Sequence, residues 1–118
     1  MHKHCIYFID DDARAGELFQ RFAMEAGYRV NVFQSPQKAL DSLDNDIVDL
    51  VITDLKMPGM SGTELLEKIR QRDTVLPVII ITGYSTVEHA IEALRLGATD
   101  FLKKPYDMEE LLLQISRT

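Results

Sequence analysis

The chain has 118 residues, of which 46% are hydrophobic, and its formal net charge is −6. This length suits one domain with a hydrophobic core, so we predict a single domain over residues 1–118. The acidic balance argues against direct binding of nucleic acid or of an anionic membrane by this domain. There is no apolar run of the ~20 residues that span a membrane, and no signal-peptide pattern. A single cysteine, Cys5, excludes an internal disulfide and favours the cytoplasm.

The first half of the chain alternates apolar runs of strand length with segments of helical period. Residues 5–9 predict the first strand, in which Cys5 is expected to be an inert core residue. A helix ending at Gly27 follows. Its predicted buried face consists of Ala15, Leu18, Phe19, Phe22 and Ala26. Val30 and Val32 alternate with polar neighbours, which predicts a half-exposed second strand.

The central elements carry helix-start signals. Ser35 and Pro36 supply an N-cap and a proline at the first helical position of the second helix. Its predicted buried stripe is Ala39, Leu40 and Leu43. Residues 47–53 predict the third strand, and Ser61 with Glu64 has the spacing of a capping box. The third helix is expected to bury Leu65, Leu66 and Ile69.

The last third of the chain repeats the same pattern twice. Residues 78–82 predict the fourth strand, and Ser85 with Glu88 forms a second capping-box pattern. The fourth helix is predicted to bury Val87, Ala90, Ile91 and Leu94 and to end at Gly97. A short fifth strand at about 100–103 precedes a helix capped by Asp107. The buried side of that last helix is expected to hold Met108, Leu111, Leu112 and Ile115.

Five strand–helix units predict an α/β fold with one doubly wound parallel sheet. The first, third and fourth strands are apolar on both faces and suit central positions. The alternating second strand and the short fifth strand suit the edges. Right-handed crossovers then favour the strand order 2-1-3-4-5.

Polar residues follow four of the predicted strands on the same side of this sheet. Asp10, Asp11 and Asp12 follow the first strand, and Asp54 follows the third. Ligands bind outside the carboxyl ends of such strands, where the winding reverses. Clustered carboxylates repel one another unless a cation intervenes, and a small set of oxygen ligands suits Mg²⁺.

Thr82 ends the fourth strand and Lys104 follows the fifth, and both extend this predicted site. The hydroxyl can donate to a phosphoryl oxygen, and the ammonium can pair with it. A carboxylate can act as a phosphoryl nucleophile. The pattern therefore predicts a site for a phosphoryl group beside Mg²⁺, although spacing alone does not select the acceptor.

The combined pattern resembles the receiver domain of two-component response regulators, a CheY-like, flavodoxin-like fold. The resemblance covers the whole chain. It rests on Asp10 and Asp11; on Asp54 with Met57, Pro58, Gly59 and Gly62; on Thr82 and Gly83; and on Lys104 and Pro105.

The resemblance implies a role for each matched residue. Asp54 would be phosphorylated, Thr82 would sense the phosphoryl group, and Lys104 would pair with it. The metal, Mg²⁺ with Mn²⁺ as an alternative, would be bound by Asp54, Asp11, the backbone carbonyl of Lys56 and, through water, Asp10. Phe101 would be the switch aromatic, and Lys56 and Tyr84 would tune the lifetime of the phosphate. A cis bond before Pro105 is expected, whereas Asp12 is interpreted as a helix N-cap.

The resemblance also implies partners. A sensor histidine kinase or a histidine phosphotransfer domain would donate the phosphoryl group, and an output domain or downstream protein would respond. Transcriptional output is favoured; a stand-alone phosphorelay or docking receiver is the alternative. The surface of the fourth helix, fifth strand and fifth helix, including Leu113, is a candidate homodimer interface.

Two other functions are alternatives to the receiver, and the two histidines near the start of the chain offer a separate candidate site. An aspartyl-phosphate phosphohydrolase of the haloacid-dehalogenase type needs a second aspartate where this chain has Lys56. A pseudo-receiver would never take phosphate, and the intact site argues against it. His2 and His4 could bind a stray transition metal, but two histidines make a weak site, and a frayed terminus is the simpler interpretation.

Overall fold

The computed structural model describes residues 4–83 and 87–118. The strands are β1 (Cys5–Ile9), β2 (Arg29–Phe33), β3 (Leu50–Asp54), β4 (Val78–Thr82) and β5 (Asp100–Lys103). The helices are α1 (Ala13–Glu25), α2 (Pro36–Leu43), α3 (Gly62–Arg72), α4 (Val87–Arg95) and α5 (Met108–Arg117). Every strand pairing is parallel and the order is β2-β1-β3-β4-β5. The predicted fold class and strand order are confirmed.

The sheet buries both of its faces because successive strand side chains point to opposite sides. On one face, Tyr7 and Val51 pack with buried residues of α2, α3 and α4. On the other face, Phe8 and Ile52 pack with buried residues of α1 and α5. The two hydrophobic clusters fix the sheet between two helical layers, so the strand ends are left to form the site.

The third strand begins later than predicted, at Leu50 instead of residue 47, and includes Asp54. Ile47 is 89% exposed. The strand starts late because the residues before Leu50 make side-chain hydrogen bonds to β1. Asp49 accepts the Cys5 backbone N–H at 2.7 Å, and Asp46 accepts the Tyr7 hydroxyl. These side-chain bonds shape a connecting loop, and an apolar run alone does not reveal it.

The buried face of α1 differs from the prediction. Gly16, Phe19 and Ala23 are buried, whereas Leu18 and Phe22 are substantially exposed. A Cβ atom added at Gly16 would clash with the Val32 side chain. Small residues therefore let α1 lie close to the sheet, and this close approach decides which face is buried.

The predicted stripe of α4 was also wrong. Ile91 and Leu94 are about half exposed, at 48% and 51%, and Ala93 is fully buried. Again the buried residue is a small one, in the hydrophobic cluster on that face of the sheet, and the large aliphatic side chains of Ile91 and Leu94 are substantially exposed. In α5, by contrast, Leu111 and Ile115 are buried as expected.

The helix-start signals mostly hold. Asp12, Ser35, Ser61 and Asp107 each accept a backbone N–H in the first turn of the helix that they cap. Gly27 and Gly97 have positive φ, as expected of residues that end helices. The predicted cap at Ser85 lies outside the described residues. Within residues 4–83 and 87–118, no helix has the length and apolar character needed to cross a bilayer.

Candidate functional site

Three carboxylates meet at the carboxyl end of the sheet. Asp10 directly follows β1, and Asp54 is the last residue of the neighbouring β3. One side-chain oxygen from each of Asp10, Asp11 and Asp54 lies within 4.8 Å of the other two. The structure thus brings together the predicted carboxylates at the point where the winding of the sheet reverses.

The Asp54 carboxylate is held through both of its oxygens. Oδ1 accepts the backbone N–H of Leu55 at 2.8 Å, and Oδ2 accepts Lys104 Nζ at 3.0 Å. The Asp54 side chain is 11% exposed. These contacts balance its charge and fix its orientation while leaving it reachable from solvent.

Lys104 also contacts Asp10, with its Nζ 3.4 Å from Asp10 Oδ2. Burial by itself would lower the pKa of the Lys104 ammonium. The hydrogen bond to Asp54 and the charge of Asp10 outweigh burial, so the pKa of Lys104 is raised. The ammonium therefore remains positively charged between the two carboxylates.

Asp10 is 3% exposed, the most buried of the three carboxylates. Burial raises its pKa above the ordinary value, although the Asp12 backbone N–H and Lys104 oppose that rise. The N–H of Asp12 reaches Asp10 Oδ1 at 2.9 Å. A buried carboxylate whose charge is disfavoured gains from an additional cation. The set of Asp10, Asp11 and Asp54 could therefore bind a metal ion.

Thr82 and Phe101 lie where the sequence predicts them, on β4 and β5. Thr82 is the last residue of β4 and is fully buried, and its carbonyl accepts the Lys104 backbone N–H at 2.8 Å. Phe101 is half-buried and packs against the hydrophobic cluster beneath α3 and α4. The Lys104–Pro105 peptide bond is cis, as expected.

The turn after Asp54 is shaped by close packing. The Gly62 N–H donates to the Leu55 carbonyl at 2.7 Å. A Cβ atom added at Gly62 would lie 2.9 Å from Leu55 Cα and closer still to the Asp54 carbonyl oxygen. Only glycine lets α3 begin so near the Asp54 backbone. The Lys56 side chain is exposed, and Met57 is buried beneath the turn.

Two contributors to the site escaped the sequence reasoning. One is the Leu55 N–H, because a backbone donor has no residue signature. The other is Tyr106. Burial raises the pKa of its phenol; the charge of Lys104 opposes this, and those of Asp10 and Asp54 add to it. The position of Tyr106 directly after Lys104 and Pro105 is the sequence feature that could have indicated its closeness to the site.

Some predicted residues lie apart from this cluster. Asp12 accepts the Arg14 N–H at 3.0 Å as the N-cap of α1, in agreement with its interpretation. Cys5 is buried, and burial raises its thiol pKa, which suits an unreactive core residue. His4 Nδ1 lies 3.8 Å from Asp49 Oδ2. Tyr84 and His2 lie outside the described residues.

Comparison with known proteins points to one family. A family model described as "Response regulator receiver domain" matches residues 6–116. The chain is 36% identical over 117 residues to the DNA-binding transcriptional regulator NtrC of Klebsiella pneumoniae. It is 38% identical over 110 residues to the transcriptional regulatory protein FixJ of Bradyrhizobium diazoefficiens. A CheY-like receiver domain structure from Methanospirillum hungatei JF-1 superimposes with a TM-score of 0.94 at 29% identity, covering 98% of this chain and 93% of that one.

The chain therefore belongs to the response regulator receiver domain family. Its alignments cover 99% of this chain but 25% of NtrC, and 93% of this chain but 54% of FixJ. It thus spans about a quarter to a half of the length of these two relatives. The receiver domain of a response regulator is a signalling domain.

Proposed function

We propose that Asp54 accepts a phosphoryl group from the phosphohistidine of a sensor kinase or a histidine phosphotransfer domain. The observation that carries this proposal is the environment of the Asp54 carboxylate. It is oriented by the Leu55 N–H, paired with Lys104 and bordered by two further carboxylates. An isolated turn aspartate would need none of these partners.

The transfer is an in-line displacement. A carboxylate oxygen of Asp54 forms a bond to phosphorus while the bond from phosphorus to the donor's imidazole nitrogen breaks. The imidazole leaves with the electron pair of the broken bond, and it leaves as a neutral ring because its other nitrogen carries a proton. Lys104, which already lies 3.0 Å from Asp54, neutralises charge on the transferred group, and Thr82 donates a hydrogen bond to it.

Asp10, Asp11, Asp54 and the Lys56 carbonyl are the proposed metal-binding groups, with Asp10 acting through water. Hard oxygen ligands of this kind suit Mg²⁺, and Mn²⁺ is an alternative. The ion, when bound, supplies positive charge for the oxygens of the phosphoryl group. Asp10 and Asp11 serve to bind it next to Asp54, where the three side-chain oxygens already converge.

The domain acts as a switch and modifies only itself. New bonds from the phosphoryl group to Thr82 and Lys104 would favour a state in which Phe101 turns inward. Lys56 and Tyr84 would tune the rate at which water removes the phosphoryl group. Leu113, which is 53% exposed on α5, belongs to the proposed dimer surface formed by α4, β5 and α5.

The output is proposed to be transcriptional, because NtrC and FixJ are named as transcriptional regulators. A receiver that is phosphorylated by a sensor kinase and controls transcription would operate in the cytoplasm. A stand-alone relay is the second candidate, and the sequence that flanks this domain in its natural protein distinguishes the two.

Intact mass spectrometry after incubation with acetyl phosphate and Mg²⁺ tests the proposed acceptor. We expect one phosphoryl group on the wild-type chain and none on Asp54→Asn, since an amide cannot form the acyl phosphate. Asp12→Asn is the matched control, because Asp12 is an exposed cap outside the cluster. Full phosphorylation of Asp54→Asn would refute the acceptor. An unmodified wild-type chain would favour a pseudo-receiver, and turnover of outside phosphoesters would favour the hydrolase.

A further inference from the structure

Arg70, on α3, binds three backbone carbonyls that belong to two different connections. Its Nε and Nη2 donate to the Gly97 carbonyl at 3.0 and 2.7 Å. Its Nη1 donates to the carbonyls of Asp73 and Leu76 at 3.1 and 2.6 Å. We call this set of contacts the Arg70 clamp. Only a guanidinium offers this fork of donors, so the contacts depend on arginine.

The absence of a side chain at Gly97 lets Arg70 approach its carbonyl. Gly97 ends α4 with a φ of +102°, and a Cβ atom added there would lie 2.9 Å from Arg70 Nε. The segment next to it is well anchored. Ala93 and Ala98 are buried, and Leu96 packs against the hydrophobic cluster on that face of the sheet. The carboxyl-terminal end of α4 is thus held by both apolar packing and the Arg70 clamp.

The preceding part of α4 borders a cavity. Glu88 and His89 are exposed there, and Ile91 is about half exposed, as is Leu94 in the last turn. A cavity of about 280 Å³ separates this part of the helix from the turn that follows Asp54. The cavity is lined by Leu55, Lys56, Ser61, Thr63, His89 and Glu92. The cavity thus borders α4 at His89 and Glu92, whereas the turn that follows the helix is packed through Leu96 and Ala98.

We propose that Arg70 is the positioning residue that makes the Gly97 turn a fixed pivot for α4. A change at the phosphorylation site would then move the part of α4 beside the cavity, whereas residues 96–98 stay in place. This restricts movement to a rotation of one helix. It also preserves the start of β5, the strand that contains Phe101 and directly precedes Lys104. The movement of α4 rests on the proposed switch function. The contacts of the Arg70 clamp do not, because they are present in the unphosphorylated structure.

Hydrogen exchange in the resting protein tests the clamp independently of phosphorylation. The reporters are the amides of Leu96, Gly97 and Ala98, which bond to carbonyls of α4. We expect Arg70→Gln to accelerate their exchange roughly tenfold relative to the β1 amides, because charge-assisted hydrogen bonds at this turn are lost. Arg70→Lys should give a smaller acceleration, since an ammonium cannot serve all three carbonyls at once.

Arg72→Gln is the matched control. Arg72 lies on the same helix and also donates to a backbone carbonyl, that of Leu40 at 2.8 Å, but it faces α2. We expect this variant to leave the three reporters unchanged relative to β1. Equal acceleration in Arg70→Gln and Arg72→Gln, or none in Arg70→Gln, would overturn the clamp.

The pivot is tested with beryllofluoride and Mg²⁺, using the fluorine signal to confirm saturation. In the wild-type chain we expect large amide shift changes over residues 88–92 and small ones over 96–98. In Arg70→Gln the changes should extend into 96–98. Equal changes in both ranges of the wild-type chain would overturn the pivot. Failure of beryllofluoride to bind would instead contradict the proposed function and leave the exchange experiment to decide on the clamp.

Discussion

Replacing Asp10 by asparagine should stabilise the metal-free domain while weakening its binding of Mg²⁺. The amide keeps the shape of the side chain and an oxygen that can accept the Asp12 N–H, which now reaches Asp10 Oδ1 at 2.9 Å. It removes a charge from a residue that is 3% exposed. Function at this position therefore opposes stability, as is common at sites where like charges are held together.

The size of the effect follows from the contacts of Asp10. Asp10 and Asp54 have side-chain oxygens within 4.8 Å of each other. At an effective dielectric constant near 20, two like charges at that separation repel by about 3.5 kcal/mol, and the exposed Asp11 adds a smaller repulsion that solvent screens. The attraction between Asp10 and Lys104, at 3.4 Å, is about 5 kcal/mol on the same scale, less what solvent screens from the partly exposed ammonium. These contributions nearly cancel. The burial cost of the carboxylate is left, so we expect a gain of about 1–3 kcal/mol in the free energy of unfolding.

The same group sets a pH dependence. The pKa of Asp10 is raised in the folded chain above its ordinary value of 3.8. Between these two pKa values the folded state binds more protons than the unfolded state, so the contribution of Asp10 to stability falls as pH rises through that window. The gain from Asp10→Asn should therefore be small at pH values below 3.8 and reach its full size above the folded pKa.

Urea unfolding with and without Mg²⁺, at several pH values, measures both effects. Asp12→Asn is the control, since asparagine caps helices as well as aspartate and Asp12 is exposed. We expect Mg²⁺ to stabilise the wild type and Asp12→Asn more than Asp10→Asn. If metal-free Asp10→Asn were no more stable than the wild type at neutral pH, the assigned burial cost of Asp10 would be wrong.

Two further predictions concern packing, and urea unfolding measures both. Gly62→Ala should lower the free energy of unfolding by about 1–3 kcal/mol and reduce phosphorylation of Asp54, because the new methyl group would displace the Asp54 backbone. Gly83→Ala is its control, since a Cβ atom there would meet Lys104 Cβ at an ordinary 3.9 Å. Equal stability of the two glycine variants would contradict the close approach. On α4, Ile91→Gln should change stability by less than about 0.5 kcal/mol, whereas Ala93→Leu should cost about 1–3 kcal/mol. If Ile91→Gln were the more destabilising of the two variants, the buried face of α4 would be the one predicted from the sequence.

The strand order could be predicted because it depends on local patterns that survive in the fold. The apolar runs ending at Ile9 and Thr82 form strands with the predicted bounds. Turn and cap residues such as Asp107 act within a few residues of their own position. Such short-range interactions depend on residues that are close together in the sequence. Right-handed crossovers then leave few ways to connect the strands.

The rotation of α1 and α4 about their axes was decided by the tertiary structure alone. The sequence pattern favours large apolar side chains as the buried ones, but the small residues Gly16 and Ala93 are buried while Leu18 and Leu94 are substantially exposed. Close approach of a helix to a sheet depends on the shape of the opposing surface, here Val32 for α1. That surface is assembled from residues distant in sequence, so a hydrophobic period cannot encode it.

For the site, the sequence determined which carboxylates gather, since parallel strands bring their carboxyl ends to one edge. The tertiary structure decided how they are held. The Leu55 N–H fixes one oxygen of Asp54, and Lys104 bridges Asp54 and Asp10 across 50 and 94 residues of sequence. Charge balance in a buried cluster depends on distances of a few ångströms, and only folding sets those distances.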